Sequence, residues 1–71
     1  MNFLSADGYR YGVMFNDGSV MAKWNGKTQR ERAEEEIREI IAQQLERSGR
    51  HDNIRLARRT LQMDWEVVND G

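Results

Sequence analysis

Asn16-Asp17-Gly18-Ser19 stands between two runs in which every second residue is apolar. Before it, Tyr9, Tyr11, Val13 and Phe15 alternate with Arg10, Gly12 and Met14; after it, Val20, Ala22 and Trp24 alternate with Met21 and Lys23. Period two marks a strand with one buried face. Asp-Gly supplies the positive φ angles of a type I′ two-residue loop. A β-hairpin over about 9–24 follows, and it restricts the chain to folds in which a second layer covers the aromatic face. A loop of Asp17-Gly18 sets Phe15 opposite Val20, Val13 opposite Ala22 and Tyr11 opposite Trp24, with the large apolar groups together. A three-residue loop, Asn16-Asp17-Gly18, shifts the pairing by one and brings Ser19, Met21 and Lys23 to that face instead. The first register is the one expected.

The covering layer comes next in sequence. Trp24-Asn25-Gly26-Lys27 reads as a turn, and Thr28-Gln29-Arg30-Glu31 fits a capping box that opens a helix. Ala33, Ile37, Ile40, Ile41 and Leu45 then fall on one helical stripe. Glu and Arg occupy the opposite face, with Glu34 and Arg38 spaced as an i,i+4 pair. Gly49 suits the left-handed position just past a helix end, so the helix is expected over about 29–48. Ser48-Gly49-Arg50-His51-Asp52-Asn53 is a polar loop. Beyond it, Ile54 and Leu56 alternate on one phase and Leu61, Met63, Trp65 and Val67 on the other, with the flip near Arg58-Arg59-Thr60. Ile54, Ala57 and Leu61 also suit a short helix over 53–62. A third strand over about 54–68, interrupted by a bulge or break, is the expected reading.

The chain is thus one small domain over 1–71: an α+β, two-layer β-β-α-β sandwich. One amphipathic helix packs on a three-stranded sheet of order 2-1-3, with the third strand antiparallel to the first. The Asp17-Gly18 hairpin, the single helix and the closing run of Arg58-Arg59-Thr60 followed by Trp65-Glu66 resemble the small uncharacterised accessory proteins of actinobacterial bacteriophages. The resemblance implies a phage or prophage accessory protein acting in the host cytoplasm, and it brings no catalytic residues with it.

Composition narrows the chemistry. Without Cys or Pro, the chain is neither a disulfide scaffold, a Cys-based zinc domain nor a Pro-rich segment. Eleven basic and twelve acidic side chains leave a net charge of -1, which excludes a strongly basic nucleic-acid tail. No apolar run reaches the roughly 20 residues of a membrane span. Met1-Asn2-Phe3-Leu4 has no basic flank and no long apolar stretch, so no secretory signal is expected.

Four local patterns invite a catalytic or ligand reading, and each has a plainer one. Gly26-Lys27-Thr28 follows a strand and opens a helix like the tail of a phosphate-binding loop, but Met21 stands where that motif needs its first Gly. A turn glycine, a surface lysine and a cap threonine account for it. His51, the single histidine, lies near Ser48 and Asp52, all in one polar loop without the convergent geometry of a triad. One His among scattered carboxylates gives no metal-ligand spacing. Glu34, Glu35, Glu36 and Glu39 suit a solvated helix face that complements the helix dipole. No catalytic, cofactor-binding or metal site is expected.

Two features point to partners. Met14 and Met21 face each other on the side away from the helix in the expected register, and Met adapts to varied partners. Trp65 lies near the end of the chain as a further anchor. Arg50, Arg55, Arg58 and Arg59 make a basic cluster between the acidic helix and the acidic final segment. The reading that follows is a non-enzymatic interaction module that self-associates or binds a host protein. Met14, Met21 and Trp65 serve as anchors, and Arg58 and Arg59 orient the partner by charge. The alternative is a small regulatory nucleic-acid binder that uses Arg50, Arg55, Arg58 and Arg59 on phosphates.

Overall fold

The computed structural model describes residues 3–69. Five elements follow one another: β1 (Arg10–Met14), β2 (Val20–Met21), α1 (Gln29–Ser48), β3 (Arg55–Arg59) and β4 (Glu66–Val67). The four strands form one sheet in the order β2-β1-β3-β4, with every neighbouring pair antiparallel. The expected α+β architecture and the 2-1-3 order are both contained in this arrangement. α1 lies over β1 and β3 and covers one face of the sheet.

The end of the chain departs from expectation. The segment over 54–68 is not one interrupted strand but a second hairpin, with Ala57 opposite Val67 and Arg58 opposite Glu66. The flip in apolar phase near Arg58-Arg59-Thr60 is where β3 ends and the chain turns back. No Gly, Pro, Asn-Gly or Asp-Gly marks this turn, so the usual punctuation of a reversal is missing. Thr60 supplies it instead: its hydroxyl oxygen accepts the Gln62 N–H at 3.2 Å, a side-chain turn of the kind Ser and Thr support.

The register of the first hairpin also differs. Val13 pairs with Met21 and Met14 with Val20, which is the three-residue loop. The Phe15 N–H donates to the Ser19 carbonyl at 2.8 Å, and the Gly18 N–H to the Phe15 carbonyl at 2.9 Å. A type I′ turn needs positive φ at both central residues, but among the described residues only glycines adopt it, Gly18 at 87°. Asp17 keeps a negative φ and acts through its side chain. Its Oδ1 accepts the Ser19 N–H at 3.0 Å and the Ser19 hydroxyl at 2.6 Å. The local energy of this loop outweighs the neater grouping of large residues in the other register.

The shift turns Met21 toward the helix, where it packs on the core with Phe15 and Trp24. Met14 stays on the far side of the sheet. Gly12 becomes a contact point. A Cβ there meets the Met21 carbonyl oxygen and Val20 Cγ1, each at 2.8 Å, so only glycine fits without a shift.

α1 spans the expected residues. Gly49 ends it at φ 75°, donating its N–H to the Leu45 carbonyl at 2.8 Å. The expected capping box does not form: Thr28 has φ -99° and ψ 5°, and its side chain makes no cap hydrogen bond. Glu34 pairs with Arg30 at 4.0 Å rather than with Arg38. The core joins Tyr11, Val13, Ala33 and Ile54, with Ile37, Ile40, Ile41 and Leu56 packed around it. Burying such an aliphatic side chain contributes about 1.5–3 kcal/mol, so this core is modest.

Candidate functional site

The expected interface residues do not converge. Met21 joins the core and Met14 sits on the opposite face, so the pair does not form one patch. Arg58 lies on the helix side, opposite Tyr11 on β1. Its Nε donates to Glu66 Oε2 at 3.3 Å and its guanidinium covers the Tyr9 ring at 4.4 Å. Partial desolvation works against that charge, but the hydrogen bond and the negative charge of Glu66 more than compensate, and its pKa stands above the ordinary value. Arg50 is exposed in the loop after α1. Arg55 and Arg59 share the outer face with each other and not with Arg58.

The loop carrying His51 is structural. His51 Nδ1 lies 2.8 Å from the Asp52 carbonyl oxygen, and the Ser48 hydroxyl donates to the Gln44 carbonyl at 3.1 Å. The Asp52 N–H donates to Gln44 Oε1 at 2.7 Å. These bonds tie the loop to the helix end, with Ser48 and Asp52 both bonded to Gln44 and the His51 ring set on a backbone carbonyl and not on a carboxylate. Among the described residues no group of three or more His, Asp or Glu is placed to hold a metal. No helix among them is long and apolar enough to cross a membrane.

Two surfaces remain, one on each side of the sheet. On the helix side, a groove runs between α1 and the β3–β4 hairpin, lined by Ile37, Ile54, Leu56 and Val68 and rimmed by Glu34 and Arg38. The two layers also differ in length. A 20-residue helix spans about 30 Å, whereas a five-residue strand spans roughly 17 Å. The last turns of α1 therefore extend past the sheet, and Leu45, on the apolar stripe, is 45% exposed.

On the outer side, Arg10 and Arg59 stand directly opposite across the β1–β3 ladder. Such a like-charge pair is unfavourable in itself. Each guanidinium lies against an aromatic ring: Arg10 is 3.9 Å from the centre of Phe3, and Arg59 is 5.8 Å from that of Trp65. Arg10 donates to the Ala22 carbonyl and to Asn25 Oδ1, and Arg59 Nε donates to the Thr60 carbonyl at 3.3 Å. Phe3, Arg10, Arg59, Leu61 and Trp65 frame a cleft. Arg55 follows on the same face, opposite Met14, with its Nε buried and unpartnered.

Sequence reasoning missed Gln29. It is fully buried, its Oε1 accepts the Tyr11 N–H at 2.7 Å, and its Nε2 donates to the carbonyls of Phe3 and Gly26 at 3.1 and 3.0 Å. One side chain thus ties the N-terminal segment, β1 and the turn before α1. Its position one turn before Ala33, on the line of the apolar stripe, was the available signal. Comparison with protein-family models, curated proteins and solved structures finds no match to this chain.

Proposed function

We propose that the chain is a non-enzymatic interaction module whose first partner is a second copy of itself, docked through the groove between α1 and the β3–β4 hairpin. The observation that carries this is the overhang of α1, which leaves Leu45 exposed on the same apolar stripe, about two turns beyond a groove lined by Ile37, Leu56 and Val68. Charge favours self-pairing. From Gln29 to Glu39 the helix holds five Glu against three Arg; from Ile40 to Arg50 it and the following loop hold Glu46 against Arg47 and Arg50. Two antiparallel helices related by a two-fold axis near Ile41 set the acidic half of each beside the basic half of the other. The same axis brings Leu45 of each protomer toward Ile37 of the other. This is the isologous contact that closed dimers use, and the extra burial suits a domain with so small a core.

The test is Leu45→Asp, a substitution at an exposed helix position, followed by sedimentation velocity and far-ultraviolet circular dichroism. The reading predicts that the wild-type dimer becomes monomeric over the same concentration range while the helical spectrum is unchanged. Equal association of both proteins contradicts it. A wild-type chain that is monomeric at every concentration also overturns self-pairing. It leaves the groove to a host protein, the partner implied by the resemblance to phage accessory proteins.

A further inference from the structure

We propose that the outer-face cleft binds a nucleoside phosphate, with the guanidinium groups of Arg10 and Arg59 on the phosphate and the rings of Phe3 and Trp65 stacked against the base. It lies on the side of the sheet away from the groove, so it stands independently of self-association. Three observations converge on it.

The first is unbalanced charge. Arg10, Arg55 and Arg59 share one face of β1 and β3. Among the described residues no carboxylate pairs with any of them, and the seven residues lining the cleft include none. Arg10 and Arg59 both line the cleft, and an anion held there gains charge-assisted hydrogen bonds from them.

The second is preorganisation. Arg10 is fixed by the Ala22 carbonyl, Asn25 and the Phe3 ring, and Arg59 by the Thr60 carbonyl and the Trp65 ring. Little side-chain freedom is left to lose on binding.

The third is the aromatic component. Phe3 is 50% exposed although it stacks on a guanidinium, and Leu61 beside it is 72% exposed. Ring and guanidinium planes on an open sheet surface are what unstacked bases pack against. A carboxylate or a bare phosphate leaves this apolar wall unused, whereas a nucleoside phosphate engages both halves of the cleft. The overall charge of -1 makes the binding local: it rests on this face and not on the whole molecule.

A free nucleotide and one unit of a single strand offer the same chemistry, and the experiment separates them. Binding of thymidine monophosphate, a twelve-residue oligothymidylate and a duplex of equal length is followed by tryptophan fluorescence in a Trp24→Phe background. Trp65 is then the sole reporter. The account predicts quenching by the mononucleotide or the single strand and weaker binding of the duplex, whose bases are already stacked. Affinity equal for mononucleotide and single strand identifies a free nucleotide; affinity for the strand alone identifies single-stranded nucleic acid.

Arg59→Gln lowers affinity about tenfold or more, and Phe3→Ala lowers it to a comparable degree. With the single strand, Arg59→Gln also reduces the slope of log affinity against log salt by about 0.7. Arg50→Ala, in the exposed loop after α1, changes neither. Binding of none of the three ligands at millimolar concentration overturns the assignment. Equal losses for Arg50→Ala and Arg59→Gln, the sign of diffuse attraction to the whole surface, overturn it as well.

Discussion

Gln29 concentrates more structural work in one side chain than any apolar residue of the core. Its amide ties together the N-terminal segment, β1 and the turn before α1, and the bond to the Tyr11 N–H is fully buried. Gln29→Leu keeps the volume but strands the Tyr11 N–H and the Phe3 carbonyl, while the Gly26 carbonyl keeps the residue 29 backbone N–H. Leaving buried polar groups unpaired costs about 1–3 kcal/mol each, so the variant is expected to lose about 2–4 kcal/mol by urea denaturation. A loss below the fitting error contradicts this role. Gly12→Ala forces a Cβ against backbone and side-chain atoms at 2.8 Å, and overpacking of this kind costs about 1–3 kcal/mol. Thermal denaturation checks it; an unchanged midpoint argues against the register of the first hairpin.

Asp7 gives the residue scale a pH dependence. Burial pushes its carboxyl upward, but hydrogen bonds from the Ser5 and Tyr11 hydroxyls and the Tyr9 N–H outweigh it, so its pKa lies below 3.8. The Tyr11 hydroxyl donates to it at 2.5 Å. A carboxyl with a depressed folded-state pKa adds stability that is present above its unfolded value and is lost as pH falls through the folded one. Stability is therefore expected to decline below about pH 4. Asp7→Asn should flatten that decline while leaving the slope above pH 5 alone. An identical acid limb in the variant sinks the assignment.

Between elements, legibility varied with the kind of signal. α1 was readable to the residue because an apolar stripe and a left-handed glycine are both local. The register of the first hairpin was not, because two registers differ only in how a loop competes with side-chain grouping. The answer lay in Asp17 keeping a negative φ and accepting from Ser19. Gly18→Val tests that loop. Its φ of 87° costs an L-residue about 1–2 kcal/mol, and a larger share for a β-branched one. A variant as stable as wild type contradicts the turn.

The β3–β4 turn was hidden because Thr60, Leu61 and Gln62 carry no reversal signal of composition; the phase flip was visible but two structures explain it. The cleft was half legible. Arg59 and Trp65 stood out in sequence, whereas Arg10 and Phe3 did not. Only the pairing of β1 with β3 brings Arg10 to Arg59.

At the scale of the molecule, one mismatch organises the surface. A helix of about 30 Å lies on strands of about 17 Å, and the whole measures 38 × 23 × 20 Å. The uncovered end of the apolar stripe and the exposure of Leu45 follow from that difference. They were beyond sequence reading because strand length depends on where β3 turns back. Met14 and Met21, which looked like a patch, lie on opposite faces for the same reason that the register moved. The groove, and not a methionine patch, is the surface proposed for a second copy, and the cationic cleft lies on the other side of the sheet.

Light scattering behind size exclusion, run over a concentration series at about 0.1 M and about 1 M salt, is the most direct measurement of self-association. The account predicts a species of twice 8.4 kDa whose population rises with concentration. It should persist at high salt, because the groove and Leu45 are apolar and the helix charges only orient the pair. A single 8.4 kDa species at every concentration and both salts contradicts it.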